Sequence, residues 1–423
     1  MKKVLKLIAS FYTRRTFSTF FINSARICIK PINQRYHSNL SWIKLPHSSA
    51  SKNFKNLREA INVIHTSAKS RIKCDAVELS RVEQLLSEAT EPLNIISFSK
   101  FLYSLRIYEF NEVKNILPLL SNRCSKLKQS FDAQAVGNTL YGLQNMSSDS
   151  SEVRAVLREL GKKIAECTEP LDAQAVGNAL YGLQNMNSDS SEVRAVLREL
   201  GKKIAECTEP LSAQAVGNAF TGIQQLTIDG DLKNFVITSL NQISEYDRDC
   251  SFGDICTLYQ SLALLDENSN FISLLKELSL YGKFIEQKKR LLELLYNHEK
   301  KRDQEGMAMS KSEQKYFLLA KRALDTYPEL TLSNNEFLYG FEVDIIVRKQ
   351  IGNQTPRILV IEVDGPSHRT NLASKRFDDL RDTHLTKEYG VIVERWELVV
   401  TDKLKSENII KKFKESFDNF LKE

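Results

Sequence analysis

Residues 132–171 read DAQAVGNTLYGLQNMSSDSSEVRAVLRELGKKIAECTEPL, and residues 172–211 repeat them with two changes, Thr139 against Ala179 and Ser147 against Asn187. A third, diverged copy opens at Ser212 with SAQAVGNAFTGIQQL. A unit of this length cannot bury an apolar face alone. Tandem copies must stack, so the chain is committed to a solenoid whose working surface is spread over successive units.

Each unit reads as two helices. Over residues 133–146, Val136, Leu140 and Leu143 recur at helical spacing, with the small residues Ala135, Gly137 and Gly142 between them. Asp149 and Glu152 have capping-box spacing and predict the start of a second helix. In it, Val153, Val156, Leu157, Leu160 and Ile164 form a stripe to be buried. Pro170 stops it, and Asp172 caps the next first helix. Residues 94–108, NIISFSKFLYSLRIY, align with the first helix and put Tyr103 where Tyr141 and Tyr181 stand. Residues 251–265, SFGDICTLYQSLALL, read as a worn copy. About five units across residues 59–283 are expected, the diverged end copies acting as caps.

The polar residues of the first helix form the candidate recognition stripe. Gln134, Asn138, Tyr141 and Asn145 lie at i, i+4, i+7 and i+11 and recur as Gln174, Asn178, Tyr181 and Asn185, then as Gln214, Asn218, Thr221 and Gln225. Amides offer donor and acceptor together, which suits base edges, and tyrosine offers a stacking plane. Arg154, Arg158 and Lys162 on the second helix are spaced to follow phosphates. A solvated polar face is the competing reading. The units resemble the octotricopeptide family of organellar RNA-binding arrays, in length, in the helix pair and in the phrase QAVGNALYGL. The resemblance implies a right-handed α-solenoid that reads single-stranded RNA at about one nucleotide per unit.

The net charge of +6 conceals an asymmetry. Residues 1–58 hold twelve Lys and Arg and no acid, whereas the rest holds 47 basic against 53 acidic residues, or −6. Nucleic-acid binding by the body of the chain therefore needs a local basic or stacking surface rather than bulk charge. The basic, Ser-, Thr- and Phe-rich segment 1–58 has the composition of an organellar transit peptide and is expected to be disordered or cleaved, placing the protein in the mitochondrial matrix or another organelle. A basic tail on a bacterial cytoplasmic protein is the alternative. No apolar run is long enough for a membrane span. The seven cysteines, with no C-x-x-C pair, read as small packing residues in a reducing compartment.

After a charged stretch expected to be a linker helix (residues 284–310), the texture changes to an α-β-β-α-β order in residues 311–423, a small α/β domain with a mixed sheet. Asp344 lies on the strand FEVDIIV. Glu362 and Asp364 lie two apart on RILVIEVDG and so share a sheet face. Glu313 comes from the preceding helix, and His368 follows Gly365-Pro366-Ser367. Carboxylates gathered on adjacent strands bind Mg²⁺, which activates water and holds a phosphodiester; crowded like charges otherwise need a proton or a basic partner. IEVDGPSH, with the upstream VDI and downstream RDTHL and VIVERWE, is similar to the RAP domain. That resemblance implies a restriction-endonuclease-like fold, found beside RNA-binding repeats in proteins that handle transcripts. It also carries the nuclease acids onto Glu313, Asp344, Glu362 and Asp364. Asp344 and Asp364 would be the metal ligands, Glu362 would hold metal or water, Glu313 would complete the site, and His368 would assist proton transfer or contact phosphate. Where many such nucleases carry E-x-K, this chain has Glu362-Val363-Asp364, which leaves Lys375 and Lys387 as candidates for the lysine's role.

The sequence thus points to an α-solenoid followed by a RAP-like α/β domain. Three functions are compatible with it: an RNA-binding protein in RNA processing, stability or ribosome-related maturation, with ribonucleoprotein partners; a metal-dependent endoribonuclease; or a helical-repeat protein scaffold. For targeting, N-terminal sequencing of protein from its native cells is expected to find a mature chain that begins after the acid-free segment. A mature chain beginning at Met1 would favour the bacterial reading.

Overall fold

The structure, a computed structural model, describes residues 54–246, 250–302, 311–365, 371–398 and 403–422. Six helix pairs follow one another: α1 (Leu57–Lys69) and α2 (Ala76–Glu88); α3 (Ile95–Ser104) with the single turn α4 (Phe110–Val113) and α5 (Ile116–Ser125); α6 (Ala133–Tyr141) and α7 (Ser151–Ala165); α8 (Ala173–Tyr181) and α9 (Ser191–Ala205); α10 (Ala213–Gly222) and α11 (Gly230–Gln242); α12 (Phe252–Leu265) and α13 (Ser269–Glu277). The first helices stack in the order α1, α3, α6, α8, α10, α12. The second helices α2, α5, α7, α9 and α11 form a parallel layer. Among the described residues the array has six pairs rather than the expected five or so. The charged stretch is not a linker: α14 (Tyr281–Arg302) packs on α12 as a seventh member of the first layer, burying Phe284, Leu291 and Leu295.

Side-chain caps start the first helices. Asp132, Asp172 and Ser212 accept the backbone N–H groups of Ala135, Ala175 and Ala215 at 2.6, 2.6 and 3.1 Å, as the Asp172 reading expects. The second helix starts one residue later than expected. Ser150 is its N-cap, accepting from the Val153 N–H, while Glu152 accepts from the Ser150 and Ser151 hydroxyls. Arg154 donates to the Ser148 and Asp149 carbonyls at 2.7 and 2.8 Å and holds Asp149 in the turn.

The first helix also ends earlier than expected, at Tyr141, because consecutive first helices touch backbone to backbone. A methyl group at Gly182 would overlap the Leu140 carbonyl, and one at Gly222 the Leu180 carbonyl; Gly142 stands likewise against Leu102. Gly137 and Gly177 face Ala175 and Ala215 in the same way. These contacts leave room for hydrogen only, which accounts for the small-residue phrase in each unit.

The C-terminal domain is a four-stranded sheet of β1 (Leu330–Leu338), β2 (Phe341–Lys349), β3 (Arg357–Asp364) and β4 (Ile392–Glu397) in sequential order, with α15 (Lys311–Leu324), α16 (Leu372–Tyr389) and α17 (Lys403–Lys422). The pairs β1–β2 and β2–β3 are antiparallel and β3–β4 is parallel. The sheet is mixed, as expected, but β1 and α17 are additional. β1 escapes a sequence reading because its strand LTLSNNEFL is interrupted at Asn335 (φ 49°) and turns into β2 through Tyr339 and Gly340, both at positive φ. Ile345, Val347, Leu359, Ile361 and Trp396 pack with α15 and α17. Ile346, Ile358 and Val360, from the other face, belong to the same hydrophobic core as the helical array. The tip of the β1–β2 hairpin seats on α12, with Gln260 donating to the Gly340 carbonyl at 3.0 Å and the Tyr259 ring filling the space where a Gly340 side chain would stand. Array and α/β domain are thus joined by a shared core.

Gly182→Ala should lower stability by about 1–3 kcal/mol, the usual cost of overpacking. Gly161→Ala, whose methyl would meet Val196 at ordinary contact distances, Cγ2 at 3.5 Å and N at 3.9 Å, should be neutral or raise stability by up to about 1 kcal/mol through helix propensity. Urea midpoints of the two variants test this, and equal effects would show that the close approach is not what selects glycine.

Candidate nucleic-acid interface and carboxylate cluster

The expected recognition stripe divides in two. Gln134 and Gln174 are exposed, while Gln214 and Asn138 are half-buried. Asn178 and Asn218 are buried. Tyr141 is only 2% exposed, and its ring lies 5.7 Å from Tyr103 and 5.6 Å from Tyr181, with His65 tilted at 59° against Tyr103 at 5.5 Å. Tyr103 and Tyr141 therefore lie against neighbouring rings rather than open to bases, while Tyr181 at the end of the ladder is half-buried. Asn145 lies beyond the end of its helix. It donates to the Arg106 carbonyl at 2.7 Å beside Gln144 at 2.9 Å, and Asn185 donates to the Gln144 carbonyl at 2.6 Å. Asn268 makes the corresponding bond to the Gln224 carbonyl. These amides tie each unit to the one before it. The periodicity that marked them as a reading face is equally the periodicity of a structural ladder.

One rung differs. By the repeat, position 225 would serve the Gln184 carbonyl, but Gln225 is exposed. The bond comes instead from Arg376 on α16, which also donates to the Gln224 side-chain oxygen at 3.1 Å. Burial pushes the Arg376 guanidinium down to about 10, so it stays charged at neutral pH with carbonyl dipoles for company. No sequence signal marked this residue.

The basic stripe of the second helices is neutralised. Arg158 pairs with Glu192 of the next unit at 2.6 Å, and Lys162 with Glu159 at 2.7 Å. Arg154 is engaged in its turn, as described above. Such exposed pairs contribute about 0.2–1 kcal/mol each and cancel the charge a phosphate track needs.

The acids of the α/β domain are gathered, as expected, on the face of the sheet covered by α16. Asp344 and Glu362 are 2% and 3% exposed. Asp344 Oδ2 accepts the Val363 N–H at 2.8 Å, and Glu362 Oε1 accepts the Asp344 N–H at 3.3 Å. Glu362 Oε2 lies 3.2 Å from the Arg381 guanidinium. Asp364 meets Arg395 at 2.8 Å. Asp378 and Asp382 on α16 join both arginines. Burial by itself would lower the pKa of Arg381, but Glu362, Asp382 and Asp378 outweigh it and raise it. Arg395 is raised for the same reason, its bond to Asp382 leading. The basic partner that crowded acids require is therefore arginine. Among the described residues, no three His, Cys, Asp or Glu side chains are disposed to hold a metal, and with Glu362 and Asp364 held by guanidinium groups the donor set does not fit Mg²⁺. Glu313 stands in the first turn of α15, half-buried. His368 lies outside the described residues. Lys375 is exposed, and Lys387 pairs with Glu267 of the array at 2.8 Å.

A second buried group lies at the junction with the array. His384 is 1% exposed between Phe341 and Tyr389, with Glu267 Oε1 3.5 Å from its Nδ1. Glu267 favours protonation, but Glu267 is already engaged by Lys387. Burial first, then Lys288, hold the His384 pKa below the usual range.

The chain has no match among family models and none among curated proteins. Among the described residues, no helix is long and apolar enough to cross a membrane.

Arg381→Met should destabilise the fold by about 3–5 kcal/mol, the cost of stranding buried carboxylates, and adding Glu362→Gln should restore part of the loss; denaturant midpoints decide. The His384 shift has a sign to test as well. A depressed folded pKa means stability is whole above the unfolded value near 6.5 and falls as the pH drops from there toward the folded value. His384→Phe should flatten that acid limb in urea melts between pH 7.5 and 5, and an unchanged limb would assign the loss to other groups.

Proposed function

We propose that this chain is an RNA-binding protein, resembling octotricopeptide and RAP proteins, that acts in RNA processing, stability or ribosome-related maturation. The observation that carries the reading is the union, on one core, of 40-residue helix-pair units with an α/β domain in which FEVDIIV and RILVIEVD are neighbouring antiparallel strands. The two sequence resemblances jointly imply a helical array followed by a small α/β domain, and this union supports the reading. The acid-free segment 1–58 supports a place in the mitochondrial matrix or another organelle.

The α/β domain binds without cleaving, in this reading. Its acids are matched by Arg381 and Arg395, so the carboxylates shape and stiffen a surface instead of activating water. The exposed amides Gln134 and Gln174 are the members of the repeated stripe left to meet bases.

Single-stranded RNA affinity should fall steeply with salt, and Gln134→Ala with Gln174→Ala should weaken binding to a preferred sequence by about 1–3 kcal/mol per lost base contact. No cleavage is expected with Mg²⁺ or Mn²⁺. Cleavage that Asp344→Ala abolishes without unfolding the domain would replace this reading with the endoribonuclease, and a chain indifferent to RNA would replace it with the protein scaffold.

A further inference from the structure

The first turn of the array holds a cluster of cations of another kind. Arg71 follows α1 at φ +57°, in the left-handed region that costs a non-glycine residue about 1–3 kcal/mol. Its guanidinium is half-buried. Arg106 ends the turn after α3, places its guanidinium 4.6 Å from the centre of the Tyr103 ring and donates to the Ala68 carbonyl at 2.8 Å. The Arg71 backbone N–H donates to that same carbonyl at 3.1 Å, which sets the Arg71 backbone beside the Arg106 guanidinium. Lys69 precedes Arg71, and Lys100 lies one helical turn before Tyr103 on α3.

Among the described residues, none of these four cations forms an ion pair. This sets them apart from Arg158, Lys162, Arg381, Arg395 and Lys387, each of which does. Mutual repulsion is also felt. The Arg71 pKa is lowered, first by burial and then by Arg106. His65, the last ring of the aromatic ladder, is held down to about 4 by burial and then by Lys69, against a backbone hydrogen bond at Lys100 that raises it. Desolvated like charges with no carboxylate between them are a standing cost, and a bound anion removes it.

We propose that Arg71, Lys69 and Lys100 form a phosphate-binding subsite at the N-terminal end of the tyrosine ladder, which takes the backbone of the RNA, with the buried Arg106 adding its charge from beneath. The proposal rests on the RNA-binding reading above and locates where the charge for it resides. Arginine at a ladder end offers a planar fork for phosphate oxygens, and the two lysines add unpaired charge beside it. The body of the chain is acidic overall, so such a local concentration is what single-stranded RNA needs to find it.

Arg71→Gly tests this without unfolding the turn, because glycine accepts φ +57° freely and the turn should be as stable or more so. Lys100→Gln is the second variant, and Arg158→Gln, on an ion-paired helix, is the control. Affinity for a single-stranded homopolymeric RNA would be measured against salt concentration, alongside the thermal shift produced by inorganic pyrophosphate. The expected result is a several-fold loss of RNA affinity for Arg71→Gly and for Lys100→Gln, and a salt slope shallower by about 1 for each lost phosphate contact. Pyrophosphate should stabilise the native chain and not Arg71→Gly, and the control should behave as native. RNA binding by the native chain that both variants retain in full would overturn the subsite and leave the RNA reading standing. Loss of the pyrophosphate shift with RNA affinity unchanged would make this a site for a free phosphate compound and overturn its assignment to RNA. A native chain that binds neither RNA nor pyrophosphate would overturn both.

Discussion

The close approach of successive first helices governs the rest of the structure. Where Gly142, Gly182 and Gly222 meet the carbonyls of Leu102, Leu140 and Leu180, the backbones are nearer than any side chain would permit. Each helix must then end where its neighbour's turn begins, and the turn carbonyls face away from water. Those carbonyls must be satisfied, because an unmet buried acceptor costs about 1–3 kcal/mol. The amides of Asn145, Asn185 and Asn268 meet that demand. The tyrosine stack follows from the same geometry, since helices this close place equivalent rings 5.6–5.7 Å apart. Glycine, amide and aromatic positions in the repeat are thus one coupled solution.

The coupling extends to the C-terminal domain. Arg376 reaches from α16 to the Gln184 carbonyl, filling the rung that Gln225 leaves open. Gln260 receives the hairpin tip at Gly340, and Lys288 of α14 approaches Asp266 and Glu388 on the two sides of the junction. Solenoids are usually close to one-dimensional, each unit touching only its neighbours. Here a non-adjacent domain touches the fourth, fifth and sixth pairs, so the C-terminal half of the array is held in one curvature by contacts that repeat stacking alone would not supply.

Charge is distributed by a similar logic. The second helices and the sheet acids carry many ionic groups, among which Arg158, Lys162, Lys163, Arg198, Lys202, Lys203, Glu362 and Asp364 are matched by opposite charges at short range. The turn that joins α1 to α2 and the turn after α3 gather cations against an aromatic end. A chain whose net charge beyond residue 58 is −6 concentrates unmatched positive potential there.

The solenoid was legible from the sequence because a repeated pattern must have a repeated fold. The unit length, the two helices, the Asp172 cap and the buried stripe of the second helix follow from periodicity and capping chemistry alone. The shared sheet face of Glu362 and Asp364 follows from the two-residue period of a strand, and the register of β2 on β3 brings Asp344 to it. Periodicity could not say which polar residues face solvent, because Asn145 bonded to a neighbouring turn and Asn145 bonded to a base have the same spacing. Nor could it reveal β1, whose pairing depends on a positive-φ hairpin rather than on strand-forming residues, or the partners of the acids, since Arg381 and Arg395 lie far along the chain on other elements. The cluster of Arg71 with Arg106 is likewise invisible in a linear reading, because 34 intervening residues (72–105) separate the two arginines. Local pattern determines which elements form. Only the packed structure, where desolvation and distance set the energy of every charge and amide, decides which side chains are consumed in holding those elements together and which remain for a ligand.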